Sequence, residues 1–160
     1  MRTRLQLFSV LGLCVTTIVI TSAQQPKSAP PQTKAAAPAA AGDVAIVVNY
    51  TGKGTVDAAH ELLVFMFNTP NITGDAQPIG MQVATKNGET VTFKGVSQNP
   101  VYFVAVYDET GTYHGRGGPP TAGLPYTIYA KDAKSPATGV VPGGKAPVKI
   151  SFSDTRRWGK

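Results

Sequence analysis

From Asp43 onward the apolar residues fall in short runs separated by Gly, Pro, Asn and Asp, the punctuation of strands rather than of helices. The pattern predicts seven strands, near Val44–Tyr50, Glu61–Phe67, Ile79–Thr85, Thr90–Lys94, Val101–Tyr107, Tyr126–Ala130 and Val148–Ser153. Two of them, around Leu62-Leu63-Val64-Phe65-Met66-Phe67 and Val101-Tyr102-Phe103-Val104-Ala105-Val106, are apolar on both faces, which predicts central positions. Thr90–Lys94 and Val148–Phe152 alternate instead, so they should be half exposed. Asn87-Gly88 carries the signature of a two-residue hairpin, whose central positions need positive φ, and predicts that the third strand pairs with the fourth. Sustained helical spacing occurs nowhere. The best candidate, Val56–Leu63, could form a turn or two before the second strand. Seven short strands at this spacing predict an all-β sandwich.

Upstream the pattern changes twice. Arg2 and Arg4 precede an apolar run from Leu5 to Ile20, closed by Thr21-Ser22-Ala23. This is the layout of a cleavable export signal over residues 1–23, cut after Ala23. Thr16, Thr17 and Thr21 dilute the run below what a bilayer span of about 20 apolar residues needs. Gln24 to Gly42, QQPKSAPPQTKAAAPAAAG, has no apolar residue larger than Ala and frequent proline. Such composition predicts an extended, disordered spacer. The folded domain then occupies residues 43–154, long enough for one core, and residues 155–160, TRRWGK, read as a frayed basic tail.

Charge and cysteine narrow the function classes. Without Arg2 and Arg4, 13 basic residues face 9 acidic ones, a net charge of +4. The basic residues are scattered, whereas nucleic-acid binding calls for clustered Lys/Arg with interleaved aromatics. Nucleic acid is therefore not an expected partner. The lone Cys14 lies inside the leader, preceded by Leu13, which does not fit a lipidation signal. The exported chain would form no disulfide. Asn49-Tyr50-Thr51 and Asn71-Ile72-Thr73 are formal glycosylation sequons.

The stretches ELLVFMFNTPNITGDAQPIG, ETVTFKGV and NPVYFVAVYDETGT resemble the carboxypeptidase-regulatory-like, or transthyretin-like, β-sandwich modules of exported bacterial proteins. The carrying motif is the aromatic-rich strand Val101–Tyr107, then Asp108 and a glycine-rich loop beginning at Gly111. The resemblance covers residues 43–154. It implies an immunoglobulin-like or prealbumin-like sandwich in a periplasmic or extracellular setting, with binding or scaffolding rather than turnover. Many relatives carry an acidic, calcium-loop-like segment after this strand. Here the segment is Asp108–Gly118, with Glu109 as its only further acid and with Arg116, too few oxygens for calcium.

Candidate chemistry is sparse. A transition-metal site would need His60 and His114 with acids such as Glu61 and Asp108; the expectation is two unrelated surface histidines and no cofactor. Ser97, Ser135, Ser151 and Ser153 lack a nucleophile-elbow setting. Gly115-Arg116-Gly117-Gly118-Pro119-Pro120 lacks the helix a phosphate loop requires. The long connection Asp108–Pro125 is where function would sit. If it binds a ligand, the candidate residues are Tyr107, Tyr113, His114, Arg116 and Tyr126. The leading expectation is a non-catalytic exported interaction or accessory module of the cell envelope, with an envelope protein or glycan as partner. The alternatives are a carbohydrate-binding module using the Tyr107–Tyr126 loop and a metal-binding periplasmic protein using His60 and His114.

Overall fold

The structure is a computed structural model that describes residues 41–116 and 118–159. The expected export signal over 1–23 and the expected spacer up to residue 40 lie outside the described residues, as do Gly117 and Lys160.

Seven strands form two sheets: β1 (Gly42–Tyr50), β2 (Leu62–Phe67), β3 (Gly80–Ala84), β4 (Thr90–Val96), β5 (Tyr102–Tyr107), β6 (Tyr126–Ile128) and β7 (Val148–Phe152). The three-stranded sheet runs β4-β1-β7 and the four-stranded sheet β3-β2-β5-β6. β1 pairs antiparallel with β4 and parallel with β7. All ladders of the four-stranded sheet are antiparallel. No helix occurs among the described residues. The sequence Val56–Leu63, a candidate for a helical turn, instead makes bends held by Asp57, whose Oδ1 accepts the Ala59 and His60 N–H groups, both at 2.8 Å.

β1 places Val44, Ile46, Val48 and Tyr50 on one face, as a two-residue period requires. These pack with Phe93, Phe103, Ile150 and Phe152 in the core between the sheets. β2 and β5 are central in their sheet and buried on both faces. Leu62, Val64 and Met66 enter the inter-sheet core. Leu63, Phe65 and Phe67 face outward into a second cluster with Val104, Val106, Tyr113 and Leu124. Partly buried Ile72 and Ala76 pack on that cluster, so the connections after β2 and after β5 roof the outer face. This is why both strands read as continuous apolar runs. Each fully buried side chain of this size contributes ~1.5–3 kcal/mol.

Three expectations need correction. Asn87-Gly88 does not close a β3–β4 hairpin, because β3 pairs with β2 and β4 with β1, in different sheets. Gly88 does adopt positive φ (74°), but the turn carries the chain from one sheet to the other. Asn87 Oδ1 accepts the Tyr50 N–H and its Nδ2 donates to the Tyr50 carbonyl, both at 2.7 Å. The side-chain amide thus stands in for a strand residue and extends the β1–β4 ladder. Gly42, expected as the last spacer residue, is already paired in β1 with Val96. A Cβ there would lie 2.6 Å from the Gly143 nitrogen, so the close approach of these two segments needs glycine.

The third correction concerns the expected tail, whose described residues 155–159 are not frayed. Tyr126 N–H donates to the Arg156 carbonyl (3.1 Å), Gly123 N–H to the Trp158 carbonyl (2.8 Å) and Trp158 N–H to the Leu124 carbonyl (2.9 Å). Beyond β7 the chain therefore crosses to the other sheet and is stitched along the segment that leads into β6.

Candidate functional site

The connection Asp108–Pro125 is organised by its first residue. Asp108 is fully buried. Its Oδ2 accepts the N–H groups of Tyr113 (2.8 Å) and His114 (2.9 Å), and its Oδ1 accepts the Thr110 hydroxyl (2.8 Å). Burial alone would raise the carboxyl pKa. The donors from His114, Thr110 and Tyr113 outweigh it and hold the group below the usual carboxylate range. The aspartate that ends the aromatic-rich strand is thus a loop-folding anion. Gly111 takes positive φ (63°), and a Cβ there would meet the Ala59 carbonyl oxygen at 2.7 Å, so the loop can lie against the 57–60 bends only with glycine at this point.

The five candidate ligand residues do not share one face. Tyr107 points into the inter-sheet core, stacked on Tyr50 with ring centroids 4.2 Å apart, and its hydroxyl donates to the Thr55 carbonyl. Tyr113 is buried in the outer cluster beside Phe65 and donates to the Gly118 carbonyl at 2.8 Å. Burial raises the phenol pKa of both. His114 and Arg116 lie on the surface of the same loop; His114 has φ 46° and its Nδ1 is 2.9 Å from Glu61. That hydrogen bond, opposed by partial burial, raises the imidazole pKa. Tyr126 is separate, at the start of β6.

What surrounds Tyr126 was invisible in the sequence pattern. Trp158 meets it edge-on at 5.0 Å, and the Arg156 guanidinium sits 4.9 Å over its ring while donating to its hydroxyl. Arg157 reaches Glu109, the Gly123 carbonyl and, at 3.8 Å, Asp154. Asp154 in turn accepts the Tyr50 hydroxyl and the Lys53 N–H, and the Tyr50 bond is the main reason its carboxyl pKa is lowered. The one signal that could have flagged the tail is its tryptophan, the only one in the chain, since so large an apolar surface is rarely left in water.

Several concavities adjoin these residues. A cleft of about 120 Å³ on the roofed face of the four-stranded sheet is walled by Phe65, Phe67, Tyr113, Pro119, Pro120 and Trp158. A wider, polar recess of about 430 Å³ separates β6 from β7 and is lined by Ile128, Lys131, Ser151, Phe152, Ser153 and Arg156, among others. His60 pairs with Asp57 and His114 with Glu61. No group of three or more metal-ligating side chains converges among the described residues. No protein-family model matches the chain, and no curated protein or solved structure matches it. The strand orders themselves differ from the immunoglobulin constant arrangement of A-B-E-D over C-F-G.

Proposed function

We propose that this chain is a non-catalytic, exported β-sandwich module that binds an envelope partner, built on the prealbumin-like member of the resemblance drawn from its sequence. The observation that supports it most is where the acids go. Asp108, Glu61, Asp154 and Glu109 are each engaged by a donor of the same chain. The aromatic cleft and the polar recess are walled mainly by aromatic, proline, hydroxyl and cationic groups, with Asp132 as the one carboxylate among their lining residues, which suits recognition better than proton transfer.

The test is photo-crosslinking in the producing organism, with a photoreactive residue at Pro119 or at Lys131. A discrete adduct in the envelope fraction is the expected result, together with a mature N-terminus at Gln24 by mass spectrometry. A chain found intact from Met1 in the cytosol, with no adduct from either position, removes the reading.

A second reading, carbohydrate binding, is favoured by the Tyr126–Trp158–Arg156 corner, which brings two aromatic rings and a cation together between the polar recess, lined by Tyr126 and Arg156, and the aromatic cleft, lined by Trp158. A glycan array on the wild type and on Tyr126→Ala and Trp158→Ala addresses it. No glycan retained, or retention indifferent to both changes, ends this reading.

A further inference from the structure

β7 is the last strand of its sheet and pairs only with β1. The Phe152 carbonyl accepts the Thr51 N–H, so the backbone groups of Val148, Ile150 and Phe152 face β1. Alternation along a strand then turns those of Lys149, Ser151 and Ser153 to the free edge. Across the recess, β6 is closed at both ends. Tyr126 N–H is taken by the Arg156 carbonyl, and Ala130 is bridged to Ala137. The open backbone is therefore on the β7 side, about 17 Å long at ~3.3 Å per residue.

The charge of the segment that leads into this edge is one-sided. Residues 131–149 carry Lys131, Lys134, Lys145 and Lys149 against a single acid, Asp132. Asp132 is consumed locally: Oδ1 accepts the N–H groups of Lys134 and Ser135 at 2.9 Å, and Oδ2 the Ser135 hydroxyl at 2.8 Å. None of the four lysines takes part in an ion pair among the described residues. Lys131 and Arg156 line the recess itself. Lys149 and Ser151 are exposed neighbours on the outer face of β7, while half-buried Ile128 offers apolar surface at the recess and buried Phe152 closes its wall.

Resting on the interaction-module reading, we infer that the free edge of β7 receives an extended segment of a partner protein with alternating acidic and apolar residues, added as a further strand. Its main chain pairs with the outward groups of Lys149, Ser151 and Ser153, the mode by which an exposed sheet edge captures a peptide. Its acids lie on the outer face near Lys149, and its apolar side chains turn inward toward Ile128 at the edge of the recess. A lysine on a short edge strand ordinarily blunts self-pairing. Here it also selects, because a second copy's β7, VKISF, brings no acid to meet it, and like charges brought together across strands are destabilising.

The test uses the full exported chain and a fluorescent peptide of three Glu-Val repeats closed by Glu, alongside the same composition with its acids and valines in separate blocks. The alternating peptide should bind, and binding should protect the Ser151 and Ser153 amides from hydrogen exchange. Ser151→Pro removes an N–H that faces away from β1, a position where an edge strand tolerates proline. It should leave the melting curve in place and weaken binding about tenfold or more, as should Lys149→Glu. Equal binding of the block peptide, unchanged binding by both variants, or polygalacturonate displacing the peptide without any amide protection would overturn the inference. Should Ser151→Pro fail to fold, Lys149→Glu and wild-type amide protection decide the matter. If the in-cell adduct persists in both variants, the module reading stands and the β7 edge is not its contact.

Discussion

Replacing Asp108 by alanine removes the acceptor around which the 108–125 connection is folded. Two backbone donors, on Tyr113 and His114, lose a charged partner, and Tyr113 is buried where water cannot replace it. Hydrogen bonds to a charged group are worth ~1.5–3 kcal/mol each. The Thr110 hydroxyl is nearer the surface and can be rehydrated, so the expected loss is about 3–5 kcal/mol. For a domain of this size that corresponds to a fall in melting temperature of roughly 10–20 °C. Asp108→Asn keeps an oxygen for the two N–H groups and turns its amide toward Thr110, so it should cost only about 1–2 kcal/mol. Chemical denaturation followed by circular dichroism measures both. The pH dependence carries a sign. A carboxyl with a depressed folded pKa contributes stability that is present above its unfolded value, about 4, and is lost as pH falls through the folded one. The acid limb of stability should therefore flatten in Asp108→Asn. An alanine variant within 1 kcal/mol of wild type, or an asparagine variant as damaged as alanine, would refute the role given to Asp108.

Asn87→Ala removes both bonds to Tyr50 and should cost about 1–3 kcal/mol by denaturant titration; Asn87→Asp, which keeps only an acceptor, should recover part of it, and a neutral alanine would contradict the ladder extension. His114 should titrate above the ordinary ~6.5 by NMR and return toward it in Glu61→Gln. The contribution of this pair is present below the unfolded value and lost as pH rises through the folded one, so a wild-type midpoint at or below the ordinary value would exclude the pair in solution. Tyr50, Tyr107 and Tyr113 all have raised phenol pKa values, each through burial first. Stability should hold up to about pH 10 and fall as pH rises through those values, with absorbance at phenolate wavelengths lagging behind that of the unfolded chain; a coincident rise would show that these rings are wet.

The strands were legible because periodicity reports burial, and burial here is layered. The two-sided runs at 62–67 and 101–106 became the strands covered on both faces, and the alternating runs at 90–94 and 148–152 became edges. Pairing was less legible. Asn87-Gly88 specifies local backbone dihedrals, and a turn with positive φ serves a crossover between sheets as well as a hairpin. Nor does periodicity say which side of a sheet an aromatic faces once both sides are apolar. Tyr107 and Tyr113 therefore looked like partners of one loop, whereas one lies in the inner core and the other in the outer cluster. The ordered tail was missed for a different reason. TRRWGK is too short to show any period, and what holds it is main-chain pairing with residues 123–126, to which composition is blind.

Burial of β2 on both faces has a consequence for how its alignment is fixed. In a strand with one wet face, slipping by a single residue would turn its apolar side chains to solvent, and that cost protects the register. LLVFMF has no such protection, since a slip exchanges one apolar set for another. Alignment must instead be imposed from the ends. At one end Asp108 N–H donates to the Glu61 carbonyl (2.9 Å), and at the other Ile79 N–H donates to the Met66 carbonyl (2.7 Å). The loop gathered around Asp108 is then also a ruler, setting which residues of β2 face the inter-sheet core and which face the roof.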